Sequence, residues 1–323
     1  VRGRRSESSV GAAAAGPAAM AAAASAAAAA AAAHVRGRGT GAPYQRGPRP
    51  RDSIGCAAGR GGRVPATMED APLAPVEVIE RSRRGDDVDA GSVAAFVRSW
   101  LDGTASDAQM AAWCMVACLR GLSEEHTRAL TDALIASGDR LELARFGHTG
   151  DRHSTGGVGD TTTLVAAPLA AALGVRVAKM SGRGLAHTGG TVDKLEAIPG
   201  FRTDLPVDRF VRQVRDTGIA VIAHTARLAP GDRRLYALRD ATGTVPAAGL
   251  IAASVMSKKL AGGAEAISLD VKAGRGAFFA DAAEARAGAG LMAALAGPWG
   301  RRVRWIVSAM DQPLGRSVGN ALE

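Results

Sequence analysis

Two glycine-rich turns carry the residue types in this sequence that are best suited to chemistry. The first is STGGVG at residues 154–159, and the second is SGRG at residues 181–184. Glycine lets the backbone approach a ligand closely, and the N–H groups of a turn or a helix N-terminus bind anions. One such turn is usually only a turn, but two of them beside hydroxyl and cationic side chains predict a site for a phosphate-sized anion. Those side chains are Arg152, His153, Ser154, Thr163, Lys179, Ser181, Arg183 and Thr191.

A second polar group lies further along the chain, in or beside two successive predicted helices at 232–238 and 250–260. Ser254 and Lys258 are four residues apart and therefore share a helix face; Arg239 lies between the two helices. This face could simply be solvated. If it is buried and directed at the glycine turns, it suits a planar, hydrogen-bonding substrate such as a pyrimidine, and the spacing alone leaves both readings open.

The elements that must position these residues alternate between strand and helix after residue 141. Short β-branched runs predict strands, and longer periodic runs predict helices between them, which is typical of a largely parallel α/β sheet. In such sheets ligands bind where strands end and helices begin, and both turns follow that rule. The predicted strands are 175–180, 219–223, 266–272 and 303–308, and the predicted helices are 163–173, 207–217 and 281–296.

A small helical lobe is predicted at residues 68–140, with residues 230–262 returning to it, while 141–229 and 263–323 form the α/β lobe. Glycines follow its helical runs, and Ser106 and Gln109 have the spacing of a capping box. Cys114 and Cys118 are four apart on an apolar helix, so we expect buried structural thiols and a reduced setting. The lobe shows no catalytic pattern of its own.

Residues 1–67 form a low-complexity tail rich in Ala, Arg and Gly, which we expect to be disordered and outside the working protein. The tail has ten Arg and only two acidic residues, so it holds eight of the nine net positive charges. A signal or transit peptide and an RNA-binding tail are the alternatives. A membrane span is not expected, because alanine is weakly apolar and Pro17 interrupts the run.

The segment SGRGLAHTGGTVDKLE at 181–196 resembles the signature of the thymidine and pyrimidine-nucleoside phosphorylase family. The segments LYALRDATGTV, SVMSKKLAGGAEAISLDVK and QPLGRSVGNALE are also similar to that family, nearest its bacterial pyrimidine-nucleoside branch. The resemblance implies a nucleoside phosphorylase/phosphoribosyltransferase-like fold. It also implies reversible phosphorolysis of thymidine, uridine or deoxyuridine to the base and (deoxy)ribose 1-phosphate.

The same resemblance implies roles for individual residues. Phosphate, the co-substrate, would be bound by Arg152, Ser154, Thr163, Lys179, Ser181 and Thr191. The pyrimidine would be held by His153, Arg239, Ser254 and Lys258, of which His153, Arg239 and Lys258 would be catalytic. A potassium ion would be bound at Gly159, Thr161, Leu314 and Ser317. No organic cofactor, nucleic acid or membrane is implied, and the family suggests a cytoplasmic homodimer that forms through the helical lobe; His187 would be structural.

Three departures from the family pattern affect these expectations. Arg152 stands where the family usually has Lys, and Ser317 stands where it has Ala. A planar guanidinium keeps the charge of an ammonium but not its geometry, so the change at Arg152 is not conservative. Family chains also continue beyond GNALE, so we expect a C-terminally truncated, incomplete α/β lobe. The alternatives to an active enzyme are an inactive fragment that retains ligand binding and, less favoured, a phosphoribosyltransferase relative.

Overall fold

The structure is a computed structural model that describes residues 71–184 and 188–323. The tail predicted at 1–67 and the structural role predicted for His187 lie outside the described residues.

Four helices come first in the described chain: α1 (Pro75–Arg84), α2 (Ala90–Leu101), α3 (Asp107–Arg120) and α4 (Glu124–Ala136). Ser106 and Gln109 form the predicted capping box at the start of α3, and Ser123 caps α4 by accepting from the His126 N–H. Phe96, Trp100 and Trp113 are fully buried between these helices. The lobe is thus held by aromatic packing around capped helices.

Five parallel strands make one sheet in the order β3-β2-β1-β4-β5. They are β1 (Thr149–Ser154), β2 (Arg176–Ser181), β3 (Ile219–Ala223), β4 (Ala266–Ala273) and β5 (Arg302–Ala309). The connecting helices are α5 (Thr162–Ala172), α6 (Thr191–Glu196), α7 (Val207–Thr217), α8 (Pro230–Thr242), α9 (Ala248–Ala261) and α10 (Ala282–Ala296). A helical lobe with a mostly parallel α/β sheet is the fold class expected from the sequence, which is confirmed.

Strand β1 was not among the predicted strands, because its residues Asp151, Arg152, His153 and Ser154 are polar. It lies in the middle of the sheet between β2 and β4. Burial is possible because Asp151 accepts from Lys259 at 2.8 Å, with both side chains fully buried. Buried charges are tolerated in this way only when they are paired.

The order in which the chain adds strands to the sheet reverses between β1 and β4. The chain moves outward from β1 to β3, and then crosses to β4 on the other side of β1. In open α/β sheets this switch point is where ligands bind, outside the carboxyl ends of the strands. The first glycine turn directly follows β1.

Helices α8 and α9 leave the α/β sequence and pack against the first helices, α8 against α3 and α9 against α4. Helix α9 is buried over almost its whole length. Its carboxyl half lies next to the sheet, since Lys259 also donates to the Met180 carbonyl at 2.7 Å. The division of the chain at residues 140, 230 and 262 stays a prediction. In the part of the chain that the structure describes, no helix is both long and apolar enough to cross a membrane.

Candidate functional site

A cavity of about 110 Å³ opens at the carboxyl ends of β1 and β2. One wall consists of the two glycine turns and the start of α6. The opposite wall comes from α8 and α9. The predicted residues that line the cavity are His153, Ser154, Ser181, Thr191, Arg239, Ser254 and Lys258.

The first turn is shaped by glycines that cannot be replaced without movement. Gly156 and Gly159 have φ of 93° and 74°, a region that disfavours other residues. A Cβ on Gly157 would lie 2.4 Å from Met310 Cγ. The Ser154 hydroxyl donates to Asp160, and the Gly156 N–H donates to the Ser154 oxygen at 3.2 Å.

Asp160 is a carboxylate in the same wall. Burial raises its pKa, but hydrogen bonds from Ser154 and Thr162, with the charge of Lys272, outweigh burial and lower it. Lys272 Nζ lies 3.9 Å from Asp160 and 2.8 Å from Asp270. The first turn is therefore supported by a buried row of charges of alternating sign: Asp160, Lys272 and Asp270.

The second turn is closed by Asp193, the third residue of α6. Its carboxylate accepts from the Gly184 N–H at 2.5 Å and from the Gly190 N–H at 3.1 Å. A Cβ on Gly190 would lie 2.3 Å from the Arg183 carbonyl carbon, so only glycine fits there. Arg183 is exposed and pairs with Asp193 and Glu196, so its charge is already partnered.

Arg239 is the most rigidly held side chain of the helical wall. It is buried, and its guanidinium donates to the Val245 carbonyl at 2.6 Å, the Leu250 carbonyl at 3.1 Å and the Thr244 carbonyl at 3.3 Å. Because a guanidinium has five N–H donors, two are left for a ligand.

Lys258 sits between an acid and a hydroxyl. Its Nζ donates to Asp232 at 2.6 Å and to Ser254 Oγ at 2.8 Å, and all three side chains are buried. Burial raises the pKa of Asp232, but the charge of Lys258 together with the neighbouring charges and hydrogen bonds outweighs burial and lowers it, so the carboxylate is ionised. The predicted Ser/Lys face is thus buried and directed at the cavity rather than solvated.

His153 projects from β1 into the cavity between the two walls. Burial, followed by the charges of Lys259, Lys179, Lys258 and Arg152, holds its pKa well below the usual value. The imidazole is therefore neutral at physiological pH. A neutral ring suits a hydrogen-bonding role better than that of a proton donor.

Three predicted phosphate ligands lie behind the cavity rather than in its wall. Arg152 donates to Thr163 and, at 2.5 Å, to Asp270. Lys179 is 1% exposed, and its Nζ donates to the Arg152 carbonyl at 2.7 Å. Together they form a buried cationic layer beneath the first turn.

The four predicted potassium positions offer only oxygen atoms, which suit an alkali cation. The Leu314 N–H donates to the Gly159 carbonyl at 3.2 Å, so these two residues are in contact. The Thr161 carbonyl accepts from the Leu164 N–H at 3.0 Å. Each carbonyl retains a second lone pair for an ion, and the residues fit the group. Within residues 71–184 and 188–323, no cluster of three or more His, Cys, Asp and Glu side chains could hold a metal.

Comparison with known proteins identifies the family. Residues 147–323 match the glycosyl transferase family, a/b domain, and residues 76–138 match the helical bundle domain of the same family. The first match alone covers more than half of the chain. The chain belongs to this glycosyl transferase family.

Relatives of this family member include three bacterial proteins named pyrimidine-nucleoside phosphorylase. The proteins of Geobacillus stearothermophilus, Staphylococcus haemolyticus and Staphylococcus epidermidis are 49%, 48% and 47% identical to it over 249 residues. Each alignment covers 77% of this chain and 58% of the relative. The chain therefore spans a little over half the length of the curated relatives it matches. The predicted resemblance is confirmed.

A solved structure supports the fold alone. Anthranilate phosphoribosyltransferase from Thermus thermophilus superposes with a TM-score of 0.56 at 22% identity, over 73% of this chain and 67% of that one.

The site of this glycosyl transferase family member also contains residues that the sequence reasoning missed. Tyr236 lines the cavity, and its hydroxyl donates to the Arg183 carbonyl at 2.5 Å, which joins the two walls. Tyr236 and Asp232 lie three and seven residues before Arg239, so helical spacing could have placed both on its face. The cavity also has an apolar part, lined by Val245, Ile251, Val255 and Phe278.

A larger groove of about 710 Å³ lies at the other end of the strands. It is lined by the first residues of β1, β2, β4 and β5 and by small apolar residues of α5 and α10. Neither glycine turn reaches it. The cavity at the carboxyl ends is therefore the candidate site.

Proposed function

We propose that this chain carries out the reversible phosphorolysis of pyrimidine nucleosides such as thymidine, uridine and deoxyuridine. The products are the free base and (deoxy)ribose 1-phosphate. The observation that carries the proposal is that both glycine turns and the Arg239, Ser254 and Lys258 group line one cavity. The names of the three relatives give the substrate class.

Phosphate binds at the turn wall, where Ser181 and Thr191 offer hydroxyls; Ser154 lines the same wall with its O–H donated to Asp160. Arg152 and Lys179 lie beneath this wall. Because Arg152 is already paired with Asp270, the attraction for a dianion comes chiefly from Lys179, whose charged form a bound phosphate would favour. Binding here fixes one phosphate oxygen for in-line attack, which removes much of the entropic barrier of a two-substrate reaction.

The pyrimidine binds at the helical wall. A phosphate oxygen forms a bond to C1′ as the C1′–N1 bond breaks, and that electron pair passes into the ring and its carbonyl oxygens. Lys258 and the two remaining N–H donors of Arg239 stabilise this charge as it develops, an effect worth about 10²–10³ in rate for each donor. The departing base then takes up a proton, and the sugar phosphate releases the proton that hydrogen phosphate carried, so that the reaction gains or loses no net proton.

His153 stands between the two ligands and, as a neutral imidazole, orients a base carbonyl or the ribose by one hydrogen bond. Ser254 contributes a hydroxyl that already accepts from Lys258.

We further propose that phosphate is the co-substrate without an organic cofactor, and that Gly159, Thr161, Leu314 and Ser317 bind potassium. The ion would stabilise the conformation of the first turn. Dependence of the melting temperature on potassium, compared with choline, tests this assignment.

We also propose a cytoplasmic homodimer formed through the helical lobe. Met115 and Leu119, four residues apart on α3, are 41% and 78% exposed, which suits a covered interface. Sedimentation of the wild-type chain and of Leu119→Lys tests this: a dimer that the substitution splits supports the interface.

The reaction is tested by measuring release of uracil and thymine from their nucleosides by the full chain, with and without phosphate. We expect release only with phosphate, and its loss in Ser254→Ala/Lys258→Met. Ser257→Ala is the matched control, because Ser257 lies in the same helix but outside the cavity.

Two outcomes would contradict the proposal. Folded protein that binds both ligands without turnover would indicate an inactive fragment. Joining of a free base to 5-phosphoribosyl pyrophosphate would indicate a phosphoribosyltransferase.

A further inference from the structure

A histidine with no role in the site described so far lies directly behind it. His224 follows β3, and its side chain is only 10% exposed. Its Cε1 would be 3.3 Å from a Cβ placed on Gly182 in the second turn. Its ring meets Tyr236 edge to face at 6.2 Å. The residue therefore touches both walls of the cavity without lining it.

His224 Nε2 faces the carboxylate that holds Lys258. The distance from Nε2 to Asp232 Oδ2 is 3.5 Å, and the same Oδ2 accepts from Lys258 at 2.6 Å. Within the described residues, His224 Nε2 and Asp232 Oδ1 are buried polar atoms without a hydrogen-bond partner. Such atoms are uncommon and costly, and here the two side chains that carry them face each other.

The charges around His224 decide its protonation. Asp232 and Arg233 face it from α8, and Lys258 and Lys259 face it from α9. Burial, and then Lys258, lower its pKa to about 4, although Asp232 opposes them. The ring is thus neutral, and it adds no positive charge beside Lys258.

We propose that His224 is a positioning residue for the nucleoside end of the site. A neutral Nε2–H lies 3.5 Å from the Asp232 Oδ2 that accepts from Lys258, and it holds this carboxylate so that the ammonium stays aimed at the cavity. Contact with Gly182 ties this geometry to the second turn. The proposal rests on the proposed function, because it assigns Lys258 to the leaving base.

Two variants of the full chain test the role. His224→Leu removes the donor and approximates the ring volume, and His224→Gln retains a neutral donor. We expect His224→Leu to weaken nucleoside binding and raise its KM roughly tenfold, the size of one lost hydrogen bond. Phosphate binding, measured by calorimetry with inorganic phosphate, should stay within about twofold, and His224→Gln should recover most of the loss.

A merely structural role would weaken both ligands together, or would leave His224→Gln as impaired as His224→Leu; either result overturns the proposal. So would a His224→Leu variant that melts as the wild type does and binds nucleoside equally well.

A second measurement does not depend on catalysis. Long-range ¹H–¹⁵N spectra of the wild-type chain should show His224 as the neutral Nε2–H tautomer between pH 6 and 8. The Nδ1–H tautomer, or a ring that is charged at pH 6, would overturn the contact with Asp232. If the tautomer is as expected but the wild type binds no nucleoside, the proposed function fails and the role of His224 fails with it, while the contact stands.

Discussion

The two walls of the cavity are built on different principles. The turn wall depends on backbone shape: glycines at 156, 159 and 190 allow angles and approaches that a side chain would prevent. The helical wall depends on buried charge, with Lys258 and Arg239 held by Asp232 and by backbone carbonyls. Phosphate, whose charge is spread over several oxygens, suits many N–H and O–H donors, whereas a leaving base suits a few fixed cations. Substitutions in the turn wall should therefore weaken phosphate binding, and substitutions in the helical wall should weaken nucleoside binding.

Lys258→Met should have the largest effect. Loss of the cation should lower base release by about 10³-fold, while phosphate affinity changes little. The free energy of unfolding should fall by about 3 kcal/mol, because Asp232 is left as an unpaired buried charge. Steady-state kinetics, calorimetry and denaturant unfolding measure the three quantities.

The double variant Asp232→Asn/Lys258→Met sharpens this prediction. It should recover stability without recovering activity, since no unpaired charge remains. Recovery of both stability and activity would show that Lys258 takes no part in the reaction.

Gly190→Ala should damage the other wall. The new Cβ would meet the Arg183 backbone at 2.3 Å, so the second turn must shift. We expect phosphate affinity to fall at least roughly tenfold with nucleoside affinity retained, since backbone strain of this kind costs about 1–3 kcal/mol. Gly290→Ala on α10, where a Cβ would meet nothing within 4 Å, is the matched control. Equal losses for both ligands would argue against separate walls.

Two buried groups behind the cavity, Lys179 and His224, should make stability depend on pH in two different windows. Burial lowers the pKa of Lys179 to about 7 from 10.5, so above pH 7 the unfolded chain binds more protons and stability rises with pH towards 10.5. His224 has its pKa lowered to about 4 from 6.5, so its contribution is lost as pH falls through that window. Each slope is at most about 1.4 kcal/mol per pH unit.

Denaturant unfolding of Lys179→Met and His224→Gln checks these signs. The first should flatten the curve only above pH 7, and the second only below pH 6.5. A wild-type curve that neither variant alters would refute both assignments.

Ser254→Ala should have the smallest effect. It removes one hydroxyl beside Lys258, a loss of about 1 kcal/mol or roughly fivefold in nucleoside KM. Ser257→Ala, three residues along the same helix, should leave that KM unchanged. Phosphate KM should not respond to either substitution.

The sequence predicted the fold well where elements followed simple patterns. Strands β2 to β5 have β-branched apolar residues, and the helical lobe has caps and periodic stripes. Strand β1 was not predicted, because its polar side chains can be buried only when residues distant in the chain pair with them. Lys259 pairs with Asp151, and Asp270 pairs with Arg152. No local pattern contains those pairings.

The candidate site was predictable to the extent that its residues lie in recognisable segments. Seven of the predicted ligands line one cavity, whereas Arg152, Thr163 and Lys179 lie beneath it, a distinction that needs three-dimensional packing. Asp232 and His224 were missed because each acts on another side chain rather than on a ligand. Their roles depend on distances across α8, α9 and the end of β3.

The central claim is that phosphate and nucleoside react with each other across this one cavity. Phosphorus NMR of the full chain with uridine and inorganic phosphate tests it most directly. We expect a new ribose 1-phosphate signal that grows in step with uracil and is absent without phosphate. Uracil released without that signal, or neither product from folded protein, would contradict it.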